Sequence, residues 1–390
     1  MNGNFTYYNP TKVYFGSNAL KSLKNELSNY GSNVLLVYGS GSIIKSGLFD
    51  DVLNLLTSSG KNVMFDGGVM ANPTMAKLLE GIEIGKSSSI DLILAVGGGS
   101  VIDYAKTLAV ALTSKGDVWT RFFINQENPS SAGVPVGCIL TLAGTGSEMN
   151  GGSVMTNEAT KEKIAKVYPP EFYPQFAILD PIYTLTLPDY QLKAGIFDIM
   201  SHLMEQYFSG TDDNVSDYLN EGLMRSLITN SKVAVRFPND YEARSNIMWT
   251  ATLALNGLVG IAKDQDWMVH MIGHAISGVT DATHGMTLSS VTLPYFNVIL
   301  PHAVAKFKKF ATNVWQIPET DETDLQIAMK GLKSLEEWMK EIGVVLNAGD
   351  LGVTINNLEL IVKNTLLTGE GYKEITSEDV TFILKESMSK

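Results

Sequence analysis

The chain reads Leu92-Ile93-Leu94-Ala95-Val96-Gly97-Gly98-Gly99-Ser100-Val101-Ile102-Asp103 between residues 92 and 103. A short apolar run is followed by small residues and then by a helical pattern, which predicts a buried strand, a turn and a helix. In such a turn, backbone N–H groups and the positive helix end can approach a pyrophosphate. We therefore predict that this segment contacts a phosphate, the alternative being a turn that needs glycine for a positive φ.

Two further apolar runs end in the same kind of turn. Residues 34–38 lead into Gly39-Ser40-Gly41-Ser42, and residues 137–141 lead into Ala143-Gly144-Thr145-Gly146-Ser147. Strands that alternate with amphipathic stretches predict a parallel sheet with crossover helices, that is, a Rossmann-like dinucleotide-binding α/β domain. The crevice at the carboxyl ends of such strands is where ligands bind, so we expect the three turns to line it.

The turn that follows residues 34–38 bears on the choice of cofactor. Ile44 occupies the position of the third small residue of the dinucleotide fingerprint, so the motif is incomplete. No Asp or Glu follows the strand to bind a ribose 2′-hydroxyl, whereas Ser40, Ser42 and Lys45 are suited to a 2′-phosphate. This favours NADP(H) over NAD(H), the alternative being an ordinary turn with an exposed lysine.

Hydroxyl groups in the third turn suit a nicotinamide or a phosphate. Thr141 precedes the turn, and Thr145 lies between its two glycines. Helix capping by Thr145 or Ser147 explains these hydroxyls equally well. The carboxylate of Asp103 is likewise favourable simply because it lies near the positive end of a helix.

Beyond about residue 186 the pattern changes to long helical periodicities. They are clearest at residues 218–228, 244–258 and 325–342. We therefore expect two domains: an α/β domain over residues 1–185 that binds a dinucleotide, and a helical domain over residues 186–390 that binds a metal and carries out catalysis. We expect them to pack closely, with a cleft between them.

Composition excludes several classes of protein. Of the 390 residues 45% are hydrophobic and 18% charged, which is typical of a globular protein, and no apolar run approaches the length of a membrane span. A net charge of −12 disfavours nucleic acid and anionic membranes as partners. The N-terminus lacks a secretory signal and Cys138 is the only cysteine, so we expect a cytoplasmic protein.

The strongest functional signal is the clustering of a scarce residue. Of five histidines, His270, His274 and His284 lie in one short segment, and His202 follows Asp198 by one helical turn. Three imidazoles and a carboxylate suit Zn²⁺ or Fe²⁺. The four histidines and Asp198 are one group more than such a site needs, so one of them is available to relay protons. His302 has no such neighbours, and we expect it at the surface.

Together these residues resemble the iron-containing alcohol dehydrogenases over essentially the whole chain. The resemblance rests on the turn at residues 97–103, Gly144-Thr145-Gly146-Ser147-Glu148, Leu179-Asp180-Pro181, the Asp198/His202 pair and the later histidines. Residues 38–42, 246–249 and 254–257 are most similar to the branch of NADPH-dependent butanol dehydrogenases and broad-range aldehyde reductases.

The resemblance implies a role for each site residue. It implies a metal bound by Asp198, His202, His270 and His284, with His274 close to the nicotinamide and helping to move the proton. The residues that it places at the cofactor are Gly39, Ser40, Ser42, Gly97, Gly98, Ser100, Asp103, Thr141, Thr145 and Lys163. Asp103 is also expected to take part in catalysis through its contact with the nicotinamide.

The implied activity is hydride transfer between NADP(H) and small primary alcohols or aldehydes such as butanol and butanal. Alternatives are an NAD-dependent diol or glycerol dehydrogenase and a lyase that resembles dehydroquinate synthase. The resemblance also implies a homodimer in which N-terminal strands near residues 12–15 pair. Many members have a glutamate where this chain has Gly273, which leaves the substrate preference open.

Overall fold

A computed structural model describes residues 4–210 and 214–389 of the chain. The chain forms two compact units, of which the first is Tyr8–Leu187. The second contains the described residues from Pro188 onward together with the described residues that precede Tyr8.

The first unit is an α/β fold. Its elements in chain order are β1 (Lys12–Phe15), α1 (Leu23–Leu27), β2 (Asn33–Gly39), α2 (Ser42–Lys45), α3 (Leu48–Ser58), β3 (Asn62–Val69), α4 (Met75–Lys86), β4 (Leu92–Gly97), α5 (Gly99–Thr113), β5 (Val136–Leu140), β6 (Gly152–Asn157), β7 (Glu162–Val167) and β8 (Phe176–Leu179). The strands that the sequence predicts at residues 34–38, 92–96 and 137–141 are confirmed as β2, β4 and β5.

Six strands form one parallel sheet in the order β1-β8-β5-β4-β2-β3. The strands β2, β4, β5 and β8 are almost completely buried, because helices cover both faces of such a sheet. The chain passes from β3 on one side of β2 to β4 on the other, so a topological switch point lies between β2 and β4. Ligands of open α/β sheets bind at such a point, outside the carboxyl ends of the strands.

The sequence did not predict the antiparallel hairpin of β6 and β7. Its connection contains Lys161 at φ 60°, a left-handed conformation in a residue that gives no glycine or asparagine turn signal. The hairpin lies against α5, where Ser153 exchanges a hydrogen bond of 2.6 Å with Thr107. It carries Lys163, one of the residues predicted at the cofactor.

The described part of the second unit is helical. Its helices are α6 (Asp189–Tyr207), α7 (Val215–Arg236), α8 (Tyr241–Ala254), α9 (Met268–Thr280), α10 (His284–Ile299), α11 (Val304–Lys309), α12 (Asp324–Ile342), α13 (Ile355–Asn364) and α14 (Ser377–Ser387). The periodicities at residues 218–228 and 325–342 are confirmed as parts of α7 and α12.

The expected continuous helix over residues 244–258 is wrong at its end, since α8 stops at Ala254. Gly257 has φ 90°, and the side chain of Asn256 accepts a hydrogen bond from the backbone N–H of Leu258 at 3.1 Å. An asparagine that bonds to its own backbone competes with the helix, and glycine tolerates the left-handed turn that follows.

Candidate metal and cofactor sites

The carboxylate of Asp198 is the centre of a buried cluster of imidazoles. Its Oδ1 atom lies 3.5 Å from Nε2 of His202, 3.6 Å from Nε2 of His270 and 3.6 Å from Nε2 of His284. The donor atoms of Asp198, His202 and His270 all lie within 4.8 Å of one another. Three helices supply these side chains: α6 supplies Asp198 and His202, α9 supplies His270, and α10 begins with His284.

These separations fit a shared metal ion better than direct hydrogen bonds. Hydrogen bonds that involve charged groups are usually about 2.7 to 2.9 Å long. Ligands bound tetrahedrally at about 2.1 Å from one ion lie about 3.4 Å apart. The observed 3.5 to 3.6 Å therefore suits donors that share a cation with Asp198, although of the four residues only Asp198, His202 and His270 have donor atoms that all lie within 4.8 Å of one another. Three imidazoles and one carboxylate are a donor set typical of Zn²⁺ or Fe²⁺.

The four candidate ligands differ in exposure. The side chains of Asp198, His202 and His270 are 5 to 7% exposed, whereas that of His284 is 22% exposed. The cluster is thus more open on the side of α10. Trp267 lies at its border, with its ring centroid 5.3 Å from that of His270 and 6.2 Å from that of His202.

His274 follows His270 by one turn of α9 and is 5% exposed. Its ring stacks on that of His284, with the centroids 4.9 Å apart, and its centroid is 5.9 Å from that of His270. The structure therefore brings all four clustered histidines together, with His274 beside the candidate ligands. His302 is exposed, as expected.

Sequence analysis missed Glu205, which contacts His270 through both carboxylate oxygens. It follows His202 by three residues and is 2% exposed. Burial lowers the pKa of His270, but the charge of Glu205 and the hydrogen bonds with Asp198 and Glu205 outweigh it and raise that pKa to about 9. A buried glutamate three residues after a candidate ligand on one helix was the available signal.

The three turns predicted at the cofactor extend from adjacent strands of the parallel sheet. Gly39, Gly97 and Leu140 end β2, β4 and β5, and β4 lies between the other two. The carboxyl ends of parallel strands share one edge, and the backbone N–H of Thr141 donates to the carbonyl of Gly97 at 3.0 Å. The turns therefore meet at this edge, next to the switch point.

The glycines at 97–99 serve close packing, and the alternative of a turn with positive φ is wrong for them. An added Cβ would lie 2.5 Å from Val101 Cγ2 at Gly97, 3.1 Å from Leu142 Cβ at Gly98 and 2.2 Å from Thr145 Oγ1 at Gly99. The N-terminus of α5 thus packs directly against the turn that carries Thr145. Phosphate binding at this helix N-terminus stays a prediction.

Asp103 is 8% exposed and both of its carboxylate oxygens are bound within the first unit. Ser147 donates to Oδ1, and the backbone N–H of Val154 donates to Oδ2 at 2.9 Å. Lys106 Nζ lies 3.6 Å from Oδ1 and is fully buried. Burial raises the pKa of Asp103 and lowers that of Lys106, while their mutual attraction opposes both shifts. Asp103 thus connects α5 to β6, and its catalytic role stays a prediction.

The remaining predicted cofactor residues lie in the same unit. The hydroxyl of Ser100 donates to the carbonyl of Ala71 at 2.6 Å, and Lys163 Nζ donates to Asn72 Oδ1 at 2.8 Å. Ser40, Ser42 and Lys45 are exposed after β2. No helix of the described residues is both long and apolar enough to cross a membrane.

Two protein-family models together match most of this chain. The family model described as iron-containing alcohol dehydrogenase matches residues 10–181, and the model for the C-terminal part of the Fe-containing alcohol dehydrogenase family matches residues 193–388. The chain belongs to the iron-containing alcohol dehydrogenase family. Membership of this family confirms the resemblance seen in the sequence. It also confirms the expected fold class, a parallel-sheet domain followed along the chain by a helical domain.

Individual relatives cover nearly the whole of this alcohol dehydrogenase. The probable NADH-dependent butanol dehydrogenase 1 of Bacillus subtilis is 38% identical over 388 residues, which is 99% of this chain and 100% of the relative. The NADPH-dependent aldehyde reductase YqhD of Escherichia coli is 34% identical over 92% of each chain. The crystal structure of NADH-dependent butanol dehydrogenase A from Thermotoga maritima has a TM-score of 0.93 at 33% identity and covers 98% of each chain.

The family defines the general chemistry. The protein is an oxidoreductase, a metal-dependent alcohol dehydrogenase or aldehyde reductase that uses a nicotinamide cofactor. The names of its relatives divide between NADH and NADPH, so they leave the choice between the two cofactors undecided.

Proposed function

We propose that this alcohol dehydrogenase interconverts small primary aldehydes and alcohols, of the butanal and butanol type, with NADP(H) as cofactor. Residues 1–185 bind the cofactor, and residues 186–390 bind Fe²⁺ or Zn²⁺ through Asp198, His202, His270 and His284. The observation that carries the proposal is the convergence of three imidazole nitrogens on one oxygen of Asp198, at 3.5 to 3.6 Å.

When bound, the divalent ion supplies Lewis acidity at the substrate oxygen, and the nicotinamide carries the hydride. With the nicotinamide bound to accept the hydride, oxidation of an alcohol would also require that its hydroxyl group lose a proton. His274 accepts that proton, directly or through a relay, and returns it during aldehyde reduction. Its ring stacks on His284, so it lies beside the ligands and is held in place by packing.

The surroundings of the cluster favour a small substrate that is largely uncharged. The indole ring of Trp267 borders the imidazoles of His202 and His270. A lyase that resembles dehydroquinate synthase would need several basic groups for an anionic sugar phosphate, and a diol or glycerol dehydrogenase would favour polar contacts. The apolar ring of Trp267 beside the imidazoles supports a simple alkyl aldehyde as the substrate instead.

The preference for NADP(H) rests on the turn after β2. A 2′-phosphate would be repelled by an acidic residue there, and this chain offers Gly39 with exposed Ser40, Ser42 and Lys45. Gly41 has φ 123° and an added Cβ would meet nothing within 4 Å, so the turn is open to a ligand.

We further propose a homodimer in which β1 pairs with β1 of a second copy. β1 forms an edge of the six-stranded sheet, and Phe15 on it is 42% exposed. An edge strand with unpaired backbone groups favours such pairing. Light scattering coupled to gel filtration should give twice the mass of one chain. A proline at Val13 should shift the protein to monomer, because Lys12 and Gly16 donate toward β8 and the intervening Val13 N–H points to the free edge of the strand.

The assignment of ligands and relay is tested with three histidine variants. H270A and H284A should lose bound metal, because each removes one imidazole of a four-ligand site, whereas H274A should retain metal and lose turnover. Metal content after gel filtration and kcat for butanal reduction separate the two roles. Loss of metal from H274A, or retention in H270A, would contradict the assignment.

A further inference from the structure

The carboxylate of Glu205 binds His270 at two points. Its Oε1 atom lies 2.5 Å from Nδ1 of the imidazole, and its Oε2 atom accepts from the backbone N–H of His270 at 3.0 Å. The hydroxyl of Ser201 donates to Oε1 at 2.7 Å. Glu205 is 2% exposed, so these contacts are shielded from water. They connect α6, which carries Asp198 and His202, to α9, which carries His270.

The contact with Nδ1 determines which ring nitrogen of His270 is available to a ligand. A carboxylate accepts hydrogen bonds, so Nδ1 carries a proton, and Nε2 is the nitrogen left to bind a cation once its own proton is released. Nε2 is the atom that lies 3.6 Å from Asp198 Oδ1 in the cluster. Glu205 thereby favours the tautomer that a cation in the cluster requires.

The second contact fixes the position of the helix that carries the ring. The N-terminus of α9 has Trp267 as its N-cap, which provides no side-chain hydrogen bond, and no acidic residue lies in the first turn. The N–H of His270 is one of the first four donors of a helix, which have no partner within it. Glu205 caps this donor from α6 and places a negative charge at the positive helix end.

We propose that Glu205 is a positioning residue of the metal centre, which holds the ring of His270 with Nε2 directed into the cluster before the ion binds. This inference rests on the proposed function, because it assumes that His270 is a metal ligand. A carboxylate that binds the far nitrogen of a ligating histidine is a frequent feature of metal centres. The role of Glu205 is therefore to raise metal affinity without touching the ion.

The test compares E205Q and E205A with the unchanged protein. Glutamine offers one oxygen and one NH₂ group to the two donors of His270, so one contact is lost while the volume is kept. Glu221 provides a matched control, since it is 3% exposed on α7 of the same unit and accepts from Tyr207 and Asn313, both at 2.9 Å. E221Q thus perturbs a buried glutamate away from the candidate ligands.

Co²⁺ affinity by chelator competition and the absorption spectrum of bound Co²⁺ are the readouts, with thermal unfolding of the metal-free proteins measured in parallel. E205Q should bind Co²⁺ about 10- to 100-fold more weakly than the unchanged protein, with an altered spectrum, while E221Q keeps both. E205A should bind Co²⁺ at least as weakly as E205Q. If E205A does not fold, the comparison of E205Q with E221Q tests the inference by itself.

Three results would overturn the inference. An E205Q protein with unchanged Co²⁺ affinity and spectrum, and only a lower unfolding temperature, would reduce Glu205 to a helix cap. Equal weakening in E221Q would indicate general loosening of the unit. If the unchanged protein binds no Co²⁺, the metal centre itself is contradicted. That result would refute the proposed function, and it would be seen before any variant is made.

Discussion

Gly285 packs so closely against Ala194 that a Cβ atom at position 285 would lie 2.0 Å from the carbonyl oxygen of Ala194. Gly285 follows His284 in the first turn of α10, and Ala194 precedes Asp198 on α6. The absence of a side chain at 285 therefore allows these two helices to approach, and it helps to bring His284 within 3.6 Å of Asp198.

Substitution of Gly285 by alanine should weaken metal binding, because the new methyl group meets backbone that cannot rotate away. We expect α10 to shift and His284 to move from the cluster, with loss of metal affinity and a lower free energy of unfolding. Chelator competition and urea unfolding would measure the two effects. A G285A protein with unchanged metal affinity would contradict this account of how the helices are held.

Gly222 gives the control for this variant. It lies within α7, and a Cβ there would meet nothing within 4 Å. G222A should therefore leave metal affinity unchanged and stabilise the protein by about 0.5 to 1 kcal/mol through the lower entropy of the unfolded chain.

Introduction of an acidic residue at Gly39 should change the cofactor preference. A Cβ at this position would lie 3.4 Å from the carbonyl oxygen of Val69, so the G39D side chain fits without displacing backbone. The carboxylate should repel a 2′-phosphate and accept a hydrogen bond from a 2′-hydroxyl. We expect kcat/KM for NADPH to fall at least about tenfold while that for NADH is kept or rises. An equal loss with both cofactors would mean that the turn does not face the 2′ position.

Removal of the Lys106 amino group should disorder the turn that carries Thr145. Lys106 Nζ donates to the carbonyls of Ser147 and Asn150 at 3.0 and 3.2 Å, and Asn150 in turn donates to the carbonyl of Gly146 at 2.8 Å. K106M leaves these acceptors and Asp103 buried without their cation, which costs about 3 to 5 kcal/mol.

The dissociation constant for NADPH, measured by fluorescence titration, should rise in K106M while metal content stays constant. Methionine at Lys86, which is exposed on α4 of the same unit, serves as the control and should change neither quantity. A K106M protein that is less stable but binds NADPH normally would separate this turn from the cofactor.

Asp266 should make stability depend on pH in the acid range. It is 1% exposed and accepts hydrogen bonds from Tyr295 and from the backbone of Met268. Burial raises its pKa from 3.8 to about 6, although the hydrogen bond from Tyr295 opposes the shift. Between these values the folded chain binds a proton that the unfolded chain releases, so the contribution to stability is lost as pH rises through about 6.

D266N lacks this titration and should gain stability relative to the parent by up to about 3 kcal/mol between about pH 4 and pH 7.5. Urea unfolding of both metal-free proteins at the two pH values gives the difference directly. A difference between the two proteins that does not change with pH would show that Asp266 has the same pKa folded and unfolded.

The parts of the molecule that sequence predicted best depend on local pattern. The strands β2, β4 and β5 are short apolar runs followed by turns that contain glycine, and the His270/His274 spacing identifies a helix face. Glu205 was missed although it follows His202 by about one helical turn, because the contact that gives it a role is with His270, 65 residues away. The close packing of Gly98 and Gly99 against Leu142 and Thr145 was not predicted for the same reason, since those neighbours come from the next strand's turn.

The most direct test of the central claim is anaerobic steady-state reduction of butanal by the protein reconstituted with Fe²⁺ or Zn²⁺, with kcat/KM compared for NADPH and NADH. We predict turnover that depends on added metal, with a clear preference for NADPH. Turnover with a preference for NADH would contradict the proposed cofactor but not the proposed reaction. The absence of turnover with either cofactor would contradict the proposed reaction.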